Sequence, residues 1–201
     1  MVGMVTRKWL PVLSLLLVTG CSSSGSLMTR LVSDKEPSEV CRVAVLPFEN
    51  QTRDLEAGTL AYRIFYGELI AADLVDIVPE GDVRLFLLRN QLRPGPVLAD
   101  NHFEDLARYL EVDAVVTGTL VEVGMDSRQG GERIPFVALQ LDMYDVNSGR
   151  RLLRTFHRRW GDDYRKTMHF GVIFTLSGVV TQVSREILED WQSKGVGDCK
   201  R

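Results

Sequence analysis

Cysteine and histidine are scarce in this chain, with three of each in 201 residues. The histidines, His102, His157 and His169, stand far apart and form no His-Glu-x-x-His pair, and the cysteines lack the spacing of a zinc site. There is no P-loop, no Gly-x-Ser-x-Gly elbow and no Gly-x-Gly-x-x-Gly turn, so nucleotide-binding and hydrolase chemistry miss their first requirement. The stretch from Asp142 to Gly149 has a superficial look of a calcium loop. Its glycine is misplaced relative to Asp145, and Phe156 stands where the bidentate glutamate belongs, so it reads as a hairpin turn. His157, on a strand, and His169, at a helix start, read as surface or hydrogen-bonded structural residues. The expectation is a chain with no enzymatic activity, no metal and no cofactor.

Basic charge is not in excess either. Lysine and arginine number 24 against 27 aspartates and glutamates, which gives no electrostatic support for binding nucleic acid. Past residue 20 no apolar run approaches the roughly twenty residues that cross a bilayer.

The first twenty residues are different. Arg7 and Lys8 precede a short apolar stretch, Trp9 to Val18, that ends in Thr19-Gly20-Cys21. A basic start, a short apolar centre and a small-residue exit form a secretory leader, and Val18-Thr19-Gly20-Cys21 resembles the bacterial lipobox, which places the lipid on Cys21. The Ser-Ser-Ser-Gly-Ser run after it fits a flexible tether. Ser22 stands where an aspartate signals inner-membrane retention, which by analogy directs the chain to the outer membrane, facing the periplasm. Removing residues 1–20 leaves 22 basic and 27 acidic side chains, a net charge of about −5.

The expected organisation is a leader over 1–20, a lipidated tether over 21–40, one periplasmic domain over 41–193 and a loose tail over 194–201. Cys41 and Cys199 bracket the domain. They either form a disulfide, which an oxidising compartment permits, or remain two thiols in mobile ends.

Within the domain, Arg42 to Phe48 reads as a buried strand, residues 55–72 as a helix and Val75 to Val78 as a second strand. Two helices follow. Asp82 is the expected cap of the first; a break at Arg93-Pro-Gly-Pro96 separates them, and Asn101 with Glu104 forms the expected capping box of the second. Strands at 112–123, 136–144 and 151–160 come next, the last two joined by a tight turn at Asn147-Ser-Gly149. A long helix over 165–193 closes the chain. The order β-α-β-α-α-β-β-β-α implies an α/β domain, a mixed sheet of about five strands with helices packed on it.

Three features suit interaction. The Arg-rich strand 150–160 is either a charge-guarded edge or an interface. Trp160 is either core or a headgroup-level anchor. The apolar stretch from Phe170 to Val180 is either buried within the domain or shared between subunits, with Gly171 and Gly178 allowing close backbone approach.

The segments Val43-Ala-Val-Leu-Pro-Phe-Glu-Asn-Gln-Thr52, Val112-Asp-Ala-Val-Val-Thr-Gly-Thr-Leu-Val121 and Leu141-Asp-Met-Tyr-Asp-Val-Asn-Ser-Gly149 resemble periplasmic lipoproteins of the curli-secretion (CsgG) fold group, over most of residues 42–190. Relatives in that group include activators of peptidoglycan synthases (LpoB) and exopolysaccharide export lipoproteins (PelC). The short connections leave no room for a channel-forming hairpin, and the short tether is unlike the activators. The resemblance therefore implies the export type: a homo-oligomeric ring below an outer-membrane pore that guides the polymer. The chain's acidic excess would suit a cationic polysaccharide.

Overall fold

The computed structural model describes residues 27–32, 36–92, 98–127, 132–167 and 170–199. The leader, Cys21, Ser22, the break at 93–96 and His169 lie outside the described residues. The chain runs β1 (Leu27–Leu31), a 3-10 turn at Pro37–Glu39, β2 (Arg42–Val45), β3 (Glu49–Asn50), α1 (Ala57–Ala72), β4 (Asp76–Ile77), α2 (Glu80–Arg89), α3 (Asp100–Leu110), β5 (Ala114–Asp126), β6 (Ile134–Asp145), β7 (Arg151–Trp160), a 3-10 turn at Gly161–Tyr164 and α4 (Leu176–Ser193). The class is mixed α/β. The strands form one sheet in the order β1-β7-β6-β5-β2-β4, with β3 also on β5. Seven strands thus replace the expected five, because β1 and β3 add to the sequence-predicted order.

The sheet is antiparallel from β1 to β5 and parallel across β5, β2 and β4. That division follows from the connections. A tight turn joins β6 to β7, where Asp145 accepts from the backbone N–H and hydroxyl of Ser148 (2.9 and 2.6 Å) and Gly149 takes φ +64°. The parallel strands instead need helical crossovers.

Two cores lie on opposite faces of the sheet. On one, α1 and α4 bury Phe65, Leu69, Val183, Ile187 and Trp191 against Val137, Leu139, Leu141 and Met143 of β6. On the other, α2 and α3 bury Val83, Phe86, Phe103 and Leu106 against Ala44 and Val115. The alternation read in β6 sorts its odd residues onto the first face, as the period of two demands. The second face of β1, β7 and β6 carries Arg30, Arg154, Arg158, Gln140 and Asp142, and β7 is flanked by a strand on each side. The Arg-rich strand is therefore no edge.

Four boundaries differ from the sequence expectation. Part of the expected tether is sheet: β1 pairs with β7 from Leu27 opposite His157 to Leu31 opposite Leu153. The expected final helix starts only at Leu176, where the Thr175 hydroxyl accepts from the Gly178 N–H (3.2 Å) as its N-cap. Asp82 lies inside α2, whose N-cap is Pro79. At α3 the Asn101–Glu104 box is replaced by Ala99, whose N–H donates to His102 Nδ1 (3.1 Å).

Residues 194–199 of the expected tail are not loose. Val196 is buried, and Cys41 and Cys199 are joined as a disulfide with their Cα atoms 5.2 Å apart.

Candidate membrane and subunit interface

The antiparallel registers gather several segments at one end of the sheet. The N-terminus of β1, the β5–β6 hairpin tip, the C-terminus of β7 and the chain leading into α4 all meet there. Cys21, the expected lipid site, precedes Leu27 by six positions in the sequence. Large apolar side chains are exposed at the same place: Met125 on the hairpin, and Phe170 (76%) and Phe174 (46%) ahead of α4. Arg133, Arg165 and Lys166 are exposed beside them. Aromatic rings flanked by cations suit the headgroup region of a bilayer.

The segment that presents the two phenylalanines is a tight turn, not a helix. Thr167 and Phe170 form an isolated antiparallel bridge, and Ile173 N–H donates to Gly161 O (2.9 Å). Gly171 has φ +89°, and a Cβ there would stand 2.4 Å from Tyr164 O. A glycine is needed for the turn itself. At Gly178 a Cβ would stand 2.6 Å from Ile173 Cγ2, so the close approach made there is within the chain.

Trp160 is half-buried. Its ring stacks on Phe136 at 5.9 Å, and the Arg158 guanidinium lies 4.5 Å over it. Arg158 also pairs with Glu122 at 2.7 Å. Further along the same face Asp142, 2% exposed, accepts from Arg154 (2.6 Å) and stands as an ion pair with Arg151 (2.9 Å). The open face is thus a lattice of cations over aromatic rings and carboxylates. Single arginines in the sequence indicate charge but not which acid each one meets.

Beneath this face a polar cluster ties this end of β7 to α4. His157, fully buried, bonds Glu186 through Nε2, and Arg159 donates to the same carboxylate at 2.8 Å. Burial raises the Glu186 pKa, but the bonds from His157 and Arg159 outweigh it and hold the carboxyl below its usual value. Burial, reinforced by Glu186, pushes the neighbouring Tyr164 hydroxyl up. Trp191 Nε1 donates to the Thr155 hydroxyl at 2.8 Å, and that hydroxyl meets Thr29 of β1 at 2.7 Å. β1 is thereby wired through β7 to the core helix. His157 is hydrogen-bonded, one of the two readings its sequence context offered, and is fully buried rather than at the surface. Glu186 drew no notice in the sequence because its partners lie 27 and 29 residues away.

No family model matches the chain, and no curated protein matches it in sequence. Solved structures do. The PelC dodecamer from Paraburkholderia phytofirmans aligns over 88% of this chain and 99% of its own, with a TM-score of 0.55 at 19% identity. The chain shares the PelC fold. A hypothetical protein from Chlamydia trachomatis aligns over 78% of this chain and 98% of its own, with a TM-score of 0.51 at 12% identity.

Among the described residues no cluster of His, Cys, Asp or Glu is arranged to hold a metal ion, and no helix is long and apolar enough to cross a membrane.

Proposed function

We propose that the chain is an outer-membrane lipoprotein, anchored through Cys21, that serves exopolysaccharide export without catalysis of its own. In this reading its copies form a ring at the periplasmic face of an export pore. The observation that carries it is the short span between anchor and sheet. Only residues 22–26 separate Cys21 from β1, and the six extended steps from Cys21 to Leu27 reach at most about 22 Å. A domain tied that closely, with Met125, Phe170 and Phe174 exposed at the tied end, lies against the bilayer. An activator that docks on a peptidoglycan synthase across the periplasm needs far more reach. The likeness to the PelC dodecamer supports side-by-side assembly, and a head-to-tail contact that closes on itself makes a ring. The acidic excess of the mature chain suits a cationic polysaccharide passing the ring.

Two measurements test this. Cys21→Ala should leave an unacylated precursor, and acylated mature protein from that variant refutes the anchor. Light scattering on the lipidated chain in detergent should give a mass many times that of the monomer. A monomer there, and at high concentration without lipid, refutes the ring and favours the activator.

A further inference from the structure

At the carboxyl end of the parallel strands the chain opens a second site, unrelated to the membrane end. The segment leaving β2 turns to one face of the sheet as α1, while the segment leaving the adjacent β4 turns to the opposite face as α2. Neighbouring parallel strands whose exits diverge leave a crevice at their carboxyl ends, the usual ligand position in open α/β sheets. Here the crevice is a cavity of about 330 Å³. Phe48 and Leu87 supply apolar lining, while Arg63, Glu80 and Arg84 contribute charged groups.

Tyr62 also lines the cavity, and it is unusual. It is 4% exposed, and its hydroxyl is buried with no hydrogen-bond partner. The hydroxyl of Tyr66, one turn along α1, has found one in Val78 O at 3.2 Å. Phe48 packs edge-on against the Tyr62 ring at 5.6 Å, so the ring is core, yet the polar end is left over. A buried hydroxyl without a partner carries a desolvation cost of about 1–3 kcal/mol. Burial pushes its pKa up, so it keeps its proton and remains a donor at neutral pH.

The charges indicate what it would donate to. Arg63 and Arg84 give two positive groups against one negative, Glu80, which pairs with Arg84 at a long 3.7 Å. The N-terminus of α2 lies at the same place, with Glu80 and Asp82 in its first turn, so the arginines supply the positive charge. We propose that the crevice binds a small organic anion: its carboxylate meets the arginines and the Tyr62 hydroxyl, and its apolar ring or short chain lies against Phe48 and Leu87.

The test is ligand-observed fluorine NMR on the full chain in lipid nanodiscs, with empty nanodiscs as blank. The probes are 4-fluorobenzoate, 4-fluorobenzyl alcohol and 4-fluorobenzylamine. The benzoate should bind saturably, and the neutral and cationic probes roughly tenfold more weakly, as a charged hydrogen bond is worth. Tyr62→Phe should weaken the benzoate by a similar factor. Arg84→Gln, at an exposed position, should narrow the gap between benzoate and alcohol, and it stands in if Tyr62→Phe does not fold. Equal affinity for all three probes overturns the proposal. So does unchanged benzoate affinity in the folded variant, or no saturable binding up to ~10 mM, where Kd would already be weaker than millimolar.

Discussion

Cutting the Cys41–Cys199 bridge should cost this domain a large share of its stability while leaving its folded shape in place. The two cysteines are 158 residues apart, so the closed loop contains nearly the whole folded chain. In the chain-entropy relation a loop of that size restricts the unfolded state by about 5 kcal/mol at 25 °C. The native side of the balance changes little, because the tail is also held by packing. Val196 is buried, and the would-be Cβ of Gly197 lies 2.9 Å from Leu74 O. The tail should therefore stay docked in a Cys41→Ser/Cys199→Ser variant, and the loss should come from the freed unfolded chain. Urea denaturation of the unlipidated full chain, oxidised and double-substituted, measures the difference. It should fall between about 2 and 5 kcal/mol, with a steeper urea dependence in the variant, whose unfolded state exposes more surface. Non-reducing peptide mapping checks the bond itself. Two separately alkylated cysteines, or midpoints that coincide, would refute the reasoning.

Other perturbations follow from the polar cluster between β7 and α4. The Glu186 carboxyl is held below its usual pKa, so its contribution is complete above the ordinary carboxylate value of about 4.3 and is lost as pH falls through the folded one. Glu186→Gln should flatten the acid limb of a stability–pH curve, and an unchanged limb contradicts the assignment. Trp191→Phe removes the buried bond to Thr155 and part of a fully buried ring; a loss of about 2–3 kcal/mol in urea is expected, and a loss below 0.5 is the opposing result. Phe170→Ser with Phe174→Ser should leave circular dichroism unchanged, since both rings are exposed. The pair should abolish vesicle co-sedimentation of the unlipidated chain, and retained co-sedimentation argues against membrane contact through that turn.

The periodic parts of the sequence carried most of the fold. Odd positions of β6 face the α1–α4 core as their alternation implied, and Val43, Ala44 and Val45 are buried throughout. β1 was not legible because Leu-Met-Thr-Arg-Leu is only five residues long and its Leu27–Thr29–Leu31 face is broken by a threonine. Leu27 is half-buried while Met28 is 70% exposed, and the strand exists because β7 offers an edge 126 residues away. The turn before α4 was hidden by composition: Phe170 to Val180 is apolar on every side, and apolar content does not separate a helix from an exposed loop. One local signal was present, since Thr175 precedes Leu176 as an N-cap should. The crevice gave no signal at all. Phe48, Tyr62, Arg84 and Leu87 each suit an ordinary core or surface position, and only the divergence of two crossovers brings them together.

The placement of β1 also decides how the domain bears a load. If the chain is held through Cys21 as proposed, a force that drags the domain off the bilayer enters at Leu27 and runs along the strand axis. The β1–β7 ladder, from Leu27–His157 to Leu31–Leu153, is then loaded in shear, so its bonds resist together rather than opening one at a time. A hairpin anchored at its open end would unzip under the same pull. The tension passes from Thr29 through Thr155 to Trp191, which makes the buried helix the mechanical ground of the tether.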